Sequence, residues 1–410
     1  MLFSCGSKSD YDSVQLTGTS KTNQSKIADT LELVLAAQDI VVGANRTHIY
    51  LPLLKGKRIG LVANQTSIVV KKNSQNIKNS DYIHLVDTLL ESNIDIIKVF
   101  APEHGFRGLA DAGEFVKDGI DTKTNIPIIS LYGKNKKPSP KQLEGLDIVV
   151  FDIQDVGARF YTYISSLHYV MEACAEAHIP VIVLDRPNPN GHYIDGPILE
   201  PQYKSFVGMH PIPVVHGMTI GEYARMINGE NWLDDKAKCD LTIIEMKNYD
   251  HNKPYRLPIK PSPNLPNSKS INLYPSLCFF EGTTVNAGRG TSKQFQIYGS
   301  PYLDKTVYDF KYIPMPNVGA KYPKHNNVLC YGENLSNQKK LHKIDLSFLI
   351  KAYENSIDKT AFFNDYFTTL AGTKTLELQI KSGTSEQEIK DSWKDGLSKF
   401  KNVRSQYTLY

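Results

Sequence analysis

Six short apolar runs constrain the fold of this chain more than any other feature of its sequence. Each has the length of one strand, and several are continuous rather than alternating, which is typical of strands covered on both faces. The runs are RIGLVA (58–63), DIIKVFA (95–101), IPIISLY (126–132), DIVVFDI (147–153), PVIVLDR (180–186) and DLTIIEM (240–246). Helical patterns lie between them, the clearest over 162–178, where one apolar stripe contains Ile164, Leu167, Met171 and Cys174. This alternation predicts a Rossmann-like, doubly wound α/β domain with a mostly parallel sheet.

The length of 410 residues favours two domains over one. We interpret residues 1–44 as a signal remnant and polar tether, residues 45–250 as the Rossmann-like domain, and residues 251–410 as a smaller α+β domain. The boundary near residue 250 is indicated by a proline-rich segment, which is typical of an extended crossing chain. A last helix is predicted to begin near Ser385, where Ser385 and Glu388 have capping-box spacing and one stripe contains Ile389, Trp393, Leu397 and Phe400.

Composition excludes several classes of function. The net charge of +4 is small for this length, which disfavours nucleic acid as a partner, and no apolar run approaches the length that spans a bilayer. Neither a dinucleotide-binding G-x-G-x-x-G after the first strand nor a P-loop is present. The five cysteines form no C-x-x-C pair, so neither a zinc ribbon nor a disulfide framework is indicated. We therefore expect no organic cofactor and no metal.

Cys5 is the exception among the cysteines. Leu2 and Ser4 precede it as in the end of a bacterial lipoprotein signal, and a polar segment follows. The charged and apolar regions that normally come first are missing, so an incidental cysteine near the terminus is the alternative interpretation. A lipid anchor at Cys5 would be the chain's contact with a membrane and would place the protein in the cell envelope.

Polar side chains follow four of the strands at their carboxyl ends, the edge where open parallel sheets bind ligands. Because these ends meet at one edge, we expect a site there. The residues are Asn64 and Gln65 after the first run, Glu103, His104 and Arg107 after the second, Asp152, Gln154, Asp155, Arg159, Tyr161 and Tyr163 at the fourth, and Asp185, Arg186, Asn188 and Asn190 at the fifth.

Reasoning from residue types leaves the chemistry of this site open. Asp152 lies inside an apolar strand, so its carboxylate must be paired or protonated, and Arg159 is either its ion-pair partner or a substrate ligand. Two carboxyl groups around one bond suit glycoside hydrolysis. A histidine with several aspartates suits a metal-dependent hydrolase, although no HExxH or comparable spacing is present. The third alternative is a lipid-anchored sugar-binding protein without catalysis.

Eight motifs in order make the chain resemble the exo-β-N-acetylmuramidase family of the NamZ type over about residues 45–410. They are GLVANQTS, FAPEHGFRG, DIQDVGARFYTYISSL, DRPNPNG, PIPVVHGMTIGEYA, PSPNLP, EGTTVNAGRGT and the terminal YTLY. The resemblance implies a Rossmann-like catalytic domain and a smaller C-terminal domain with the active-site cleft between them. It also implies release of N-acetylmuramic acid from the non-reducing end of peptidoglycan fragments by hydrolysis of a β-1,4 bond, in cell-wall recycling or scavenging.

The resemblance also implies catalytic roles. Glu103 in PEHG is the expected general acid, and His104 would orient it or tune its proton affinity. Asp152 and Asp155 in DIQDVG are alternative second carboxylates. In a substrate-assisted reaction the 2-acetamido carbonyl replaces the enzymatic nucleophile, and one of these aspartates becomes an orienting partner.

Muramic acid carries a lactyl carboxylate, so its site needs a cation. The expected arginines are Arg107, Arg159 and Arg289, since guanidinium can bind a carboxylate through two parallel hydrogen bonds. Arg289 and Glu281 lie in EGTTVNAGRGT and would reach the cleft from the C-terminal domain, unless this glycine-rich loop is only a structural turn. Asn264 in PSPNLP is the remaining expected substrate ligand.

Overall fold

All six apolar runs form strands in the computed structural model, which describes residues 39–71, 81–106 and 118–410. The strands are β1 (Arg58–Ala63), β2 (Ile68–Val70), β3 (Tyr82–His84), β4 (Asp95–Ala101), β5 (Gly119–Ile120), β6 (Pro127–Ser130), β7 (Ile148–Asp152), β8 (Val181–Leu184), β9 (Leu241–Ile244), β10 (Ile297–Ser300), β11 (Phe310–Tyr312) and β12 (Cys330–Asn334). The helices are α1 (Thr47–Leu54), α2 (Leu85–Glu91), α3 (Pro140–Leu143), α4 (Tyr163–Glu176), α5 (Ile220–Gly229), α6 (Ser268–Leu277), α7 (Ser347–Glu354), α8 (Tyr366–Ala371), α9 (Thr375–Lys381), α10 (Glu386–Asp391) and α11 (Lys394–Arg404).

A seven-stranded sheet in the order β5-β6-β4-β1-β7-β8-β9 is the centre of the fold. Its strands are parallel except for β5, which pairs antiparallel with β6 at one edge. In the pairing of β1 with β7, Ala63 lies opposite Asp152, so both strands end at the same level. This confirms the predicted doubly wound, mostly parallel sheet.

Both faces of the sheet are covered, as the continuous apolar runs predicted. In β7, Val149 and Phe151 point into a core that contains α4 and α5, whereas Ile148 and Val150 point into a second core that contains α1 and α2. The stripe predicted for 162–178 is buried on α4. Burial on two faces therefore explains why the strands lack the alternation of a half-exposed sheet.

The C-terminal part of the chain is a smaller mixed α+β region. A three-stranded antiparallel sheet in the order β10-β12-β11 packs with the helices from α6 onward, and its core is continuous with that under α4. Residues Ile40–Tyr410 form one compact unit. The boundaries at 44/45 and 250/251 stay predictions. Within the described residues, no helix combines the length and apolar composition needed to cross a membrane.

The last predicted helix begins where expected but is interrupted. Ser385 and Glu388 form the predicted capping box at the start of α10. The Ser392 hydroxyl then donates to the Ile389 carbonyl at 2.6 Å, and the Trp393 amide donates to Lys390 in a three-residue step. Because this tighter turn ends α10, the apolar stripe continues on a second helix, α11.

Candidate functional site

The carboxyl ends of β1 and β7 are joined by side chains from the loop after β1. Asn64 is buried and donates through Nδ2 to the Tyr163 hydroxyl at 2.9 Å, while its Oδ1 accepts from the Thr66 amide at 2.8 Å. The Ser67 hydroxyl donates to the Asp152 carbonyl. These bonds fix the floor of the predicted site, and they occupy the Asn64 side chain within it.

Glu103 lies in a tight turn directly after β4. The Gly105 amide donates to the Pro102 carbonyl at 3.0 Å, and His104 and Gly105 both have φ of +73°, the left-handed conformation. The turn brings Glu103 Oε2 to 2.6 Å from the hydroxyl of Thr162, which precedes the first residue of α4. Glu103 is half-buried, and the hydrogen bond from Thr162 orients its carboxyl group.

The proline-rich crossing segment is attached to the candidate site mainly through the Pro261 carbonyl. Pro261 O accepts from the Tyr161 hydroxyl at 2.9 Å, the Tyr163 hydroxyl at 3.3 Å and Gln65 Nε2 at 3.1 Å. The two tyrosine rings meet edge to face, with centroids 4.9 Å apart. Both rings are buried, and burial raises the pKa of each hydroxyl. Gln65, Tyr161 and Tyr163 therefore build the wall of the site.

Asp152 is neutralised by Arg186, so the interpretation of Arg159 as its ion-pair partner is wrong. Arg186 donates from Nε and Nη2 to the two Asp152 carboxylate oxygens at 2.6 and 2.8 Å, and both side chains are buried. Arg186 Nη2 also donates to the Ile68 carbonyl at 3.0 Å. Asp152 and Arg186 were both predicted as site residues, but each neutralises the charge of the other below the floor of the site.

Arg159 is buried among backbone carbonyls. Its Nη1 donates to Pro197 and Ile212 at 2.8 and 2.7 Å, and its Nη2 donates to Leu370 and Ala371 at 3.1 and 2.6 Å. Burial lowers the pKa of its guanidinium to about 9. Arg159 is 0% exposed, and its guanidinium joins α8 to the loops after β8. Its role as a substrate ligand stays a prediction, which this geometry does not support.

Asp155 is buried beside a histidine that sequence reasoning did not single out. Its Oδ2 accepts from the Gly157 amide at 2.7 Å and lies 3.9 Å from His216 Nε2. Burial raises the pKa of Asp155 to about 7 and lowers the pKa of His216 to about 3, the latter with help from the charges of Arg404 and Arg159. His216 lies in PIPVVHGM, and this family motif is the only sequence feature that could have indicated a functional role for it.

The polar residues after β8 are buried and hold the loops together. Asp185 accepts from Thr219, Gly221 and Tyr410 between 2.7 and 2.8 Å, and burial, followed by the charge of Glu222, raises its pKa to about 7. The side-chain amides after β8 bond to backbone carbonyls, Asn188 to Met218 and Asn190 to Val156 and Ile271. Gln154, which follows β7, does the same with Asp155 and Pro187.

The C-terminal region contributes a carboxylate and an arginine. Glu281 accepts from Arg289 Nη1 at 3.2 Å, and Arg289 Nη2 also donates to the Gly319 carbonyl at 3.4 Å. Tyr366, which sequence reasoning missed, is 41% exposed, yet desolvation of its hydroxyl raises the pKa, and the charges of Glu281 and Glu103 raise it further. Glu103 and Glu281 therefore both lie near Tyr366.

Of the remaining predicted residues, one lies in the crossing segment and two lie outside the described residues. Asn264 is buried within the proline-rich crossing segment, where its backbone amide donates to the Ser262 hydroxyl at 3.1 Å. Arg107 and Cys5 lie outside the described residues. Across residues 39–71, 81–106 and 118–410, no group of three or more histidine, cysteine or acidic side chains converges as metal ligands would.

Two contacts define the candidate catalytic groups: Thr162 donates to Glu103, and Arg289 pairs with Glu281. Tyr366 lies near both carboxylates. A half-buried carboxyl group that a hydroxyl orients can donate or accept a proton. An arginine such as Arg289 can bind an anionic substituent. These are the elements of acid–base catalysis on a polar substrate.

Comparison with known proteins gives a consistent family. A model described as Exo-beta-N-acetylmuramidase NamZ, N-terminal, matches residues 59–269, and one described as Exo-beta-N-acetylmuramidase NamZ, C-terminal, matches residues 272–410. The peptidoglycan beta-N-acetylmuramidase NamZ of Bacillus subtilis is 41% identical over 381 residues, which cover 88% of this chain and 89% of that protein.

Two crystal structures of DUF1343 family proteins from Bacteroides fragilis resemble the whole fold. One superposes with a TM-score of 0.82 at 48% identity, and the other with a TM-score of 0.75 at 26% identity. Each match covers 91% of this chain and 99% of the other.

Proposed function

The chain belongs to the exo-β-N-acetylmuramidase NamZ family, and from this premise we propose that it removes N-acetylmuramic acid from the non-reducing end of peptidoglycan fragments. It is a glycoside hydrolase that cleaves the β-1,4 bond behind the terminal sugar. Its substrates are oligosaccharides of alternating N-acetylmuramic acid and N-acetylglucosamine, or muropeptides. The likeness to a relative named for peptidoglycan β-N-acetylmuramidase activity supports this assignment.

The accessibility of Glu103 carries the catalytic part of the proposal. Of the three predicted catalytic carboxylates, Asp152 and Asp155 are 0% and 5% exposed, whereas Glu103 is half-buried and receives a hydrogen bond from Thr162. A general acid must reach the leaving oxygen of the substrate. Glu103 therefore donates a proton to the glycosidic oxygen as the bond to the terminal sugar breaks.

The burial of both aspartates supports a substrate-assisted reaction. Asp152 is committed to Arg186, and Asp155 Oδ1 has no hydrogen-bond partner among the described residues and no access to solvent. The acetamido carbonyl of the sugar then attacks its own C1 while Glu103 protonates the leaving oxygen. Water next attacks C1 and gives one proton to Glu103, while the bond between C1 and the acetamido oxygen breaks and the acetamide is restored. Asp152 and Asp155 support the floor of the site in this scheme.

Hydrolysis of para-nitrophenyl β-N-acetylmuramide by the purified chain tests the assignment, with the matching glucosaminide and EDTA as further arms. We expect turnover of the muramide that EDTA does not change, and a loss of about a thousandfold or more in Glu103→Gln. Glu91→Gln, which changes an exposed carboxylate at the end of α2, is the matched control. Muropeptide binding without turnover would favour the binding protein, and loss of turnover in EDTA would favour the metal-dependent hydrolase.

We also propose that the protein acts in the cell envelope, in cell-wall recycling or scavenging. The lipoprotein-like sequence that ends at Cys5 and the substrate class support this location. Labelling of the full chain with radioactive palmitate in bacteria is the test. Label in the wild-type chain and none in Cys5→Ala is expected, and equal labelling of both would remove the anchor at Cys5.

A further inference from the structure

The connection between β11 and β12, residues 313–329, exposes an unusual amount of apolar surface. Tyr322 is 95% exposed and Val318 is 72% exposed. The exposed apolar side chains of this segment, named here the β11–β12 loop, are Ile313, Met315, Val318, Tyr322, Val328 and Leu329. Exposed apolar patches on soluble proteins mark interaction or ligand sites, so the apolar side chains of this loop form a candidate binding surface.

Hydrogen bonds hold the β11–β12 loop in place. Lys324 is inserted beneath it and donates to the carbonyls of Phe280, Thr283 and Val285. Val318 and Gly319 form the tip of a tight turn closed by paired backbone bonds between Asn317 and Ala320 at 3.0 and 3.1 Å. The apolar side chains are therefore displayed by a fixed backbone, which reduces the entropy lost when a ligand binds.

The loop adjoins the candidate site through two separate contacts. Arg289, the partner of Glu281, donates to the Gly319 carbonyl. Gly319 also packs directly on Asn264, because a Cβ atom added to Gly319 would lie 2.9 Å from Asn264 Oδ1. Asn264 follows Pro261, whose carbonyl binds Tyr161 and Tyr163. The β11–β12 loop is thus joined to the wall beside Glu103 through Asn264 and Pro261.

We propose that the β11–β12 loop is a platform for the sugar on the leaving-group side of the scissile bond, the N-acetylglucosamine that follows the terminal unit. This inference rests on the proposed function. In an exo-acting enzyme the terminal sugar is enclosed at Glu103, and the next sugar is the first part of the substrate that leaves the enclosure. A pyranose ring presents C–H groups on its faces, and these pack against tyrosine and aliphatic side chains.

The test compares two glycosides of N-acetylmuramic acid, the methyl β-glycoside and the β-1,4 disaccharide with N-acetylglucosamine. We expect the ratio of kcat/KM for the disaccharide to kcat/KM for the methyl glycoside to fall about five- to tenfold in Tyr322→Ala. Tyr322→Phe keeps the ring and retains the ratio. The matched control is Leu53→Ala, an exposed apolar side chain near the end of α1, which leads to the amino ends of the strands.

Several outcomes would contradict the proposed platform. If Tyr322→Ala left the ratio of the two kcat/KM values unchanged, the loop would not bind the second sugar. A fall seen only with a disaccharide that carries a peptide stem would assign the surface to the peptide. A wild-type dimer that Tyr322→Ala converts to a monomer in analytical ultracentrifugation would assign it to a second copy of the chain. If the wild-type chain hydrolysed neither glycoside, the proposed function itself would fail, which is a distinguishable result.

Discussion

Arg186 and Asp152 form a two-bonded ion pair in which neither side chain reaches solvent. The guanidinium Nε and Nη2 lie 2.6 and 2.8 Å from the two carboxylate oxygens. Asp152 is the last residue of β7, and Arg186 follows β8, so the pair joins neighbouring strands at their carboxyl ends. A charge pair at this position supports the floor of the site rather than its opening.

Loss of one member of this pair is expected to destabilise the fold. Asp152→Ala leaves the Arg186 guanidinium buried without a counter-charge, which costs about 3–5 kcal/mol of the free energy of unfolding. Asp152→Leu combined with Arg186→Met removes both charges and is expected to recover much of this loss. Urea unfolding followed by circular dichroism measures both effects. A stable Asp152→Ala variant that is also inactive would instead indicate a direct catalytic role for Asp152.

The hydroxyl of Thr162 is expected to matter for catalysis rather than for folding. It donates to Glu103 Oε2 at 2.6 Å and holds the carboxyl group in one orientation. Thr162→Val keeps the shape of the side chain but removes the donor, so kcat/KM is expected to fall about tenfold, as for a lost hydrogen bond to a charged group. Thr162→Ser retains the hydroxyl and most of the activity. Equal rates in the two variants would show that this bond does not position Glu103.

The buried carboxyl of Asp155 makes stability depend on pH. Its pKa is raised to about 7 by burial, with His216 Nε2 as a neighbour at 3.9 Å. In the unfolded chain the pKa is about 3.9. Between these values the folded chain keeps a proton that the unfolded chain releases, so this group's contribution to stability falls as pH rises from about 4 to about 7.

Asp155→Asn removes this titration. The free energy of unfolding of the variant minus that of wild type is expected to be larger at pH 8 than at pH 5. The reason is that the wild-type chain bears the cost of a buried carboxylate only at the higher pH. Urea unfolding at the two pH values gives the difference. Asp309→Asn, which removes an exposed carboxylate, controls for the change in net charge. A difference that is the same at both pH values would contradict the raised pKa.

The sheet could be predicted because burial on two faces leaves a direct trace in the sequence, namely continuous apolar runs of strand length. The parallel order of the strands also predicts which edge of the sheet carries the proposed site. What the sequence could not show is which polar side chains face one another. Arg159 donates to the carbonyls of residues 370 and 371, which are more than 200 residues away in the sequence. Asp152 forms its ion pair with Arg186 and not with Arg159. Such pairings depend on how distant loops fold over the strand ends.

We propose Arg289 as the described arginine that binds the lactyl group of muramic acid. Its side chain is 24% exposed and pairs with Glu281 at 3.2 Å, and Glu281, like Glu103, lies near Tyr366. Arg159, in contrast, is enclosed by carbonyls. A guanidinium at the rim of the site can bind a carboxylate through two hydrogen bonds, whereas an uncharged ester offers it a weaker acceptor.

The wild-type chain is therefore expected to hydrolyse para-nitrophenyl β-N-acetylmuramide at least tenfold more efficiently than its lactyl methyl ester, measured as kcat/KM. Arg289→Ala is expected to lose most of this preference because it removes the cation, while Arg289→Lys keeps the charge and part of the preference. Arg58→Ala changes an exposed arginine at the amino end of β1, the edge opposite the site, and controls for the loss of one positive charge. If Arg289→Ala discriminated between the acid and the ester as wild type does, the lactyl carboxylate would have to bind elsewhere.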